Sequence, residues 1–296
     1  MDFFAFLSAF FAGITSILAK IGIQDTDSDL ATALRTGVVL IFSWLMVFLT
    51  DNISGFAALS WKNLLFLILS GLATGASWLC YFKALQLGDI NKVVPIDKSS
   101  VILTMLLAWI FFGETLYWNG ILGLLLIAAG TLLMIQKTQN THRTENKSYF
   151  LWAILSAIFA AATSILGKLG TQDIPSNLAT ALRTCVVLIM AWLLVFLQKK
   201  QTQLPSISKK SIWFIILSGI ATGLSWLCYY HALQNGKASI VAPIDKLSIL
   251  FSILFARIWL HQSRLKVLVR AFPADRRDIP IAGQVPEKCI FCTSFR

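Results

Sequence analysis

Apolar residues fall in long unbroken runs along this chain, without the strict alternation of a half-buried strand or the single stripe of a soluble amphipathic helix. Runs of about 20 residues, the length that crosses a hydrocarbon core of about 30 Å, lie near 3–23, 30–50, 62–87, 92–112, 116–136, 150–171, 178–198, 211–235 and 239–260. They predict an all-α integral membrane protein with nine transmembrane helices, since a helix satisfies its own backbone in lipid. The first run is flanked by Asp2 instead of a positive charge and is followed by no small-residue cleavage site. It is expected to stay as the first span.

The runs are not independent. "TSILAK" is matched by "TSILGK", "LATALRT" occurs twice, "SGLATGASWLCY" is matched by "SGIATGLSWLCY" and "VVPIDK" by "VAPIDK". Lys20 and Lys168, Arg35 and Arg183, and Asp97 and Asp245 are all 148 positions apart. The chain therefore reads as a tandem duplication. Residues 1–137 form one five-span copy, 138–148 a polar linker, 149–260 a second copy with four spans, and 261–296 a tail unlike either. An odd number of crossings in the first copy starts the second from the opposite face. Inverted repeats of this kind are the architecture of many secondary transporters.

The five-span unit, with "TSILAK", "LATALRT", "SGLATGASWLCY", "VVPIDK", "FFGETL" and "AAGTLLM", resembles the EamA family of the drug/metabolite transporter superfamily, in particular its half-size bacterial members, here fused in tandem. The resemblance covers residues 1–136 and 149–260. It implies a ten-helix transporter of a bacterial inner membrane, usually an exporter of metabolites, amino acids or drugs.

The second copy departs from that pattern at its end. His261, Gln262, Ser263 and Arg264 stand where the first copy has Gly113, Glu114, Thr115 and Leu116, and the following residues contain four arginines and three prolines with no spanning run. The tail is expected to be non-spanning, either a frameshift product or a true cytosolic extension. Glu114 reads as a boundary residue whose symmetric role is lost at Gln262.

Composition agrees with the class: 57% hydrophobic and 13% charged residues, with a mean hydropathy of +0.74. The net charge of +11 would suggest nucleic acid in a soluble protein. Here it sits in loops, as cytoplasmic Lys/Arg excess does, so the lipid bilayer and no nucleic acid is the partner it implies. The more positive face holds the 138–148 linker and Lys199, Lys200, Lys209 and Lys210, which places the N-terminus on the other side; the family resemblance points to a cytoplasmic N-terminus instead. Cys289 and Cys292 supply only two ligands where a zinc site needs four, and the protein is expected to hold no metal and no cofactor. Neither H-E-x-x-H, G-x-S-x-G nor G-x-x-x-x-G-K-[ST] occurs, so nothing points to an enzyme or an ATP-driven pump.

Charges inside spans are the candidate chemistry, because such residues normally face a cavity or a partner. With Ser28 and Ser176 as helix N-caps, Arg35 and Arg183 lie about 10 Å inside their helices. The up-and-down order brings Lys20, Arg35, Trp78, Tyr81, Asp97 and Lys98 toward one membrane face. The inverted copy brings Lys168, Arg183, Trp226, Tyr229, Asp245 and Lys246 toward the other. Arg35 is expected to pair with Asp97, and Arg183 with Asp245, each pair closing a gate. The surplus positive charge would attract an anionic or zwitterionic small molecule, and the aspartates open a route to proton coupling. Competing structural readings exist: the lysines can snorkel to the interface, Asp97 can favour a helix N-terminus, and Trp78 and Trp226 can be interfacial anchors. Gly71-x-x-x-Gly75 and Gly219-x-x-x-Gly223 read as close helix contacts. Two functions remain: a secondary transporter exporting a small metabolite or drug by alternating access, with a homodimer compatible with it, or a truncated inactive or accessory subunit that needs a complete partner.

Overall fold

In a computed structural model that describes residues 2–22, 26–50, 52–88, 90–114 and 148–259, with isolated positions between 122 and 129, every described regular element is a helix. The first copy contributes α1 (Asp2–Gly22), α2 (Ser28–Leu49), α3 (Trp61–Leu87), α4 (Ile90–Lys98) and α5 (Ser100–Phe112). The second contributes α6 (Ser148–Gly170), α7 (Ser176–Leu197), α8 (Lys209–Asn235), α9 (Ala238–Asp245) and α10 (Ser248–Trp259). Short 3-10 turns, Asn52–Ala58 and Lys200–Ser206, precede α3 and α8. Among the described residues, seven helical segments are long and apolar enough to cross a membrane: α1, α2, α3, α6, α7, α8 and Lys92–Phe112. The expected span 116–136, apart from those isolated positions, and the tail 261–296 lie outside the described residues.

The run 239–260 is not one uninterrupted helix. Pro243 lacks an N–H and its ring crowds the carbonyl four residues back. Beyond it the chain tightens, with Lys246 N–H donating to Pro243 O at 3.1 Å and Leu247 N–H to Ile244 O at 2.9 Å. Pro95 does the same in the first copy, where Ser99 N–H donates to the carbonyls of Pro95 and Ile96. Asp97 and Asp245 thus both sit at a break in a helix. The expected caps also shift by one residue. Asp27, not Ser28, caps α2, its carboxylate accepting from the N–H of Asp29 at 2.9 Å, and Pro175 precedes Ser176 at the start of α7. A carboxylate is a stronger acceptor for an N-terminal N–H than a hydroxyl.

Helices of one copy pack on helices of the other. α1 lies on α8 and α6 on α3, α2 crosses α7, and α2 and α3 also touch α8 and α7. Hydrogen bonds give the direction of packing. Ser8 meets Ser225 at 3.2 Å while Thr15 meets Thr222 at 3.4 Å, so α1 and α8 run antiparallel. Ser77 meets Ser156 at 3.2 Å and Ser70 Oγ donates to Thr163 O at 2.8 Å, so α3 and α6 do too. In α2 and α7, Leu30 and Ala33 share a cluster with Ala191 and Leu194, and Val47 shares one with Leu178 and Ala181. They are antiparallel as well.

The inner face of α1 is built from Ala5, Ser8, Ala9, Ala12, Gly13, Thr15 and Ser16, while Phe3, Ile41, Phe48, Trp109, Ile189 and Phe196 point outward. In lipid no hydrophobic force drives helices together, so small residues and hydroxyls make the interior and large apolar groups face the tails. The two glycine pairs belong to these contacts. A Cβ at Gly71 would stand 2.7 Å from Val186 Cβ, and one at Gly219 2.6 Å from Val38 Cβ.

Candidate functional site

Where the copies meet, the helices enclose a cavity of about 120 Å³. Among its walls are Thr15, Thr74, Thr163 and Thr222, two repeat-related pairs contributed by α1, α3, α6 and α8. Arg35 and Arg183 both line it, together with Trp226, Tyr229, Tyr230, Asp245 and Lys246. The two arginines, expected at opposite faces, therefore reach one central space. Each enters its helix about 10 Å from its own face, which leaves only about 10 Å between them across a 30 Å core.

Arg183 is held firmly. It is 3% exposed, its Nε donates to Ser70 Oγ at 3.0 Å and its Nη2 to Thr74 Oγ1 at 2.6 Å. The rings of Trp226 and Tyr230 lie 5.2 and 4.9 Å from its guanidinium carbon, in cation–π range. The expected ion pair with Asp245 is not formed. Asp245 Oδ1 instead accepts from Ser8 Oγ at 2.9 Å, and Ser8 also meets Ser225. The serine contact recurs in the first copy: Asp97 Oδ1 accepts from Ser156 Oγ at 2.7 Å, and Ser156 meets Ser77. Both aspartates are thus held by a serine on the first helix of the opposite copy, at positions again 148 apart. Arg35 is 8% exposed and lies in the same wall as Thr15 and Ser100.

Six expected site residues are not among the cavity walls. Trp78 packs with Leu30, Ala33 and Val187 in the core, and Tyr81 against Ala84, Val93 and Ala153. Lys20 and Lys98 end α1 and α4, and Asp97 lies one residue before Lys98. Lys168 is engaged elsewhere: its Nζ donates to Glu114 Oε1 and to Gly236 O, both at 2.6 Å, and stands 4.7 Å from the Phe112 ring.

Glu114 is the residue that sequence reasoning undervalued. Besides Lys168, its Oε1 accepts from Ala238 N–H at 2.9 Å, and its Oε2 from Ser239 N–H at 2.9 Å and Ser239 Oγ at 2.6 Å. It caps α9 and joins three helix ends of two copies. Burial alone would raise its carboxyl, but the Lys168 and Ser239 hydrogen bonds prevail and hold it below the ordinary carboxylate range. A second ionic contact lies at the start of α2, where Lys200 pairs with Asp27 at 3.0 Å and with Asp29. Burial works against its charge, yet the two carboxylates raise its pKa.

The profile of the EamA-like transporter family matches residues 1–136 and 147–268. The chain belongs to that family. A curated relative from Sinorhizobium sp, named as an uncharacterized transporter in the cobO 3'region, is 45% identical over 133 residues, which are 45% of this chain and 94% of the relative. The uncharacterized transporter YxxF of Bacillus subtilis (strain 168) is 24% identical over 160 residues, 53% of this chain and 50% of its own length. A solved crystal structure with 17% identity superposes with a TM-score of 0.68 over 90% of this chain and 92% of its own, a likeness of fold. This EamA-family chain is a multi-pass membrane protein, and both curated relatives carry transporter names.

Proposed function

We propose that this chain is a secondary transporter in which a small solute, anionic or zwitterionic, passes through the central cavity by alternating access between two inverted repeats. The observation that carries the reading is the cavity itself: repeat-related arginines and threonines line one space between two copies that pack antiparallel. Inverted halves around a midplane site are what rocking transporters use. The Sinorhizobium relative, whose length corresponds to one copy, supports reading each half as a complete unit. By this reading the run 239–260 is a discontinuous ninth span, the protein exports metabolites or drugs from the inner membrane of a bacterial cell, and an ion gradient, not ATP, supplies the work.

Two measurements test it. Single cysteines at Ser60 and Ser208, which are repeat-equivalent caps of α3 and α8, should react with an impermeant maleimide from opposite faces of the membrane; labelling from the same face overturns the inversion. In proteoliposomes, a screen of labelled solutes with and without a proton gradient should find one whose movement needs no nucleotide. Transport that required ATP would overturn the carrier mechanism, and recovery of transport only with a complete partner would favour an accessory subunit.

A further inference from the structure

Of the five N–H donors that a guanidinium presents in a fixed plane, those along the Nε–Nη2 edge of Arg183 are committed to Ser70 and Thr74. The rings of Trp226 and Tyr230 pack against the guanidinium. Nη1 is buried and has no hydrogen-bond partner among the described residues. An unpaired buried donor on a charged group carries the full cost of its desolvation, and buried polar groups are nearly always satisfied. The end-on edge, Nη1 with the second N–H of Nη2, is therefore left as a rigid two-donor fork on a side chain that lines the cavity. Such a fork matches two oxygens on one atom.

The rest of the cavity selects among solutes bearing that group. Its charged walls are Arg35, Arg183 and Lys246 against Asp245 alone, so the space is net positive. Asp245 accepts from Ser8 and stands within electrostatic reach of Lys246 and Lys98, so these cations compete with an ammonium for the one carboxylate in the walls. The seat is small: a 150 Å³ cavity takes a benzene ring of six atoms, so about 120 Å³ seats a group of roughly five or six non-hydrogen atoms.

We propose that the cavity binds a compact oxyanion, a small carboxylate or an inorganic oxyanion, on the end-on fork of Arg183, with Arg35 approaching the same ligand from the opposite end. This rests on the transporter reading for its purpose and narrows its substrate from anionic or zwitterionic to anionic. It is tested by binding, which does not need transport. Purified full-length protein in detergent, held at constant ionic strength with sodium gluconate, is titrated with sodium acetate, nitrate, glycine or acetamide while its thermal unfolding is followed, because a ligand bound to the folded state raises Tm by mass action.

Acetate, nitrate or both should raise Tm saturably, and which of them does so tells a carboxylate from an inorganic oxyanion. Acetamide and glycine should leave it unchanged. Arg183→Lys keeps the charge but removes the fork, and should raise the half-saturating concentration at least tenfold; Arg35→Lys should weaken binding in the same sense. A flat response to both anions, or a response to acetamide or glycine as large as to acetate, overturns the proposal on the parent protein alone, whether or not the variants fold. An unchanged half-saturation in folded Arg183→Lys overturns it too. Saturable anion binding without any movement of labelled anion in proteoliposomes supports this site while refuting the carrier reading.

Discussion

Replacing Glu114 with glutamine copies into the first half the residue that stands at the matching position 262 of the second, and so tests how much one carboxylate holds the halves together. Glu114 is 6% exposed and Lys168 13%, and four donors converge on the carboxylate. Removing one partner from a buried ion pair costs about 3–5 kcal/mol. Alanine at 114 should fall at the lower end, about 3 kcal/mol, because Lys168 ends a span and can reach toward the interface. Glutamine keeps the shape and one acceptor, so about 1–3 kcal/mol is expected, the cost of unsatisfying a buried donor. The sign with pH follows from the depressed carboxyl. The folded pKa lies below the unfolded one, so this stabilisation is fully present above the ordinary value of 4.5 and is lost as pH falls through the folded value. Thermal unfolding in detergent, followed from pH 7 downward, should show Glu114→Gln unfolding earlier at neutral pH and the gap to the parent closing in acid. If the variant unfolds with the parent at neutral pH, or if the gap is constant with pH, Glu114 does not carry the contact assigned to it.

Gly71→Val should abolish folded protein in the membrane, and Val186→Gly should restore part of it, because the clash is between two Cβ atoms 2.7 Å apart; failure of every compensating change at Val186 would mean that the glycine serves something other than that contact. A double-mutant cycle on Arg183→Ala and Thr74→Ala should show coupling above about 0.5 kcal/mol, while Arg183→Ala with Asp245→Ala should be additive within about 0.3–0.5 kcal/mol; the reverse result would restore the direct pair that the geometry does not show. Lys200→Ala, at the partly exposed contact with Asp27 and Asp29, should cost at most about 1 kcal/mol and less at high salt, as surface ion pairs do; a salt-independent loss would contradict a screened contact.

The spanning helices were legible because run length and hydropathy are local properties, and the described helix ends fall within a residue or two of the apolar runs at α1, α2, α6 and α7. The constant offset of 148 was equally legible, and it placed Arg35 with Arg183 and Asp97 with Asp245 as counterparts. What could not be read was which ends of different helices stand beside one another. A serine inside a span ordinarily satisfies itself on its own helix, as Ser16 does on Ala12 O, so nothing at Ser8 or Ser156 announced a bond to an aspartate of the other copy. Lys168 looked like part of a substrate cluster because it ends a span beside other cations, but its partner, Glu114, ends a helix 54 residues away. Trp78 and Trp226 occupy equivalent positions and pack on the same apolar cluster, yet Trp226 lines the cavity and Trp78 does not. The only signal that could have flagged Glu114 was its departure from the repeat, a carboxylate facing a glutamine at the same offset.

Two departures from the repeat fall at the two ends of the bundle. Lys200 stands where the first copy has Asn52, and its partners Asp27 and Asp29 stand where the second has Pro175 and Asn177. The matching contact at the other end is a neutral one, Asn177 Nδ2 donating to Thr50 Oγ1 at 3.2 Å. Glu114 and Lys168 lie at that neutral end, since α2 and α5 finish where α6 finishes and α7 and α9 begin. Among the described residues, two ionic contacts between the copies thus lie at opposite ends of the bundle, each using a residue that the repeat does not match, Lys200 against Asn52 and Glu114 against Gln262. Identical halves would give two ends of equal strength, and the cavity keeps the repeat at Thr15 and Thr163, Arg35 and Arg183, and Thr74 and Thr222. The more enclosed contact, at Glu114 with its added cap on α9, outweighs the more exposed one at Lys200, because screening by water weakens the latter. If the two halves alternate as proposed, this inequality would bias which end opens first.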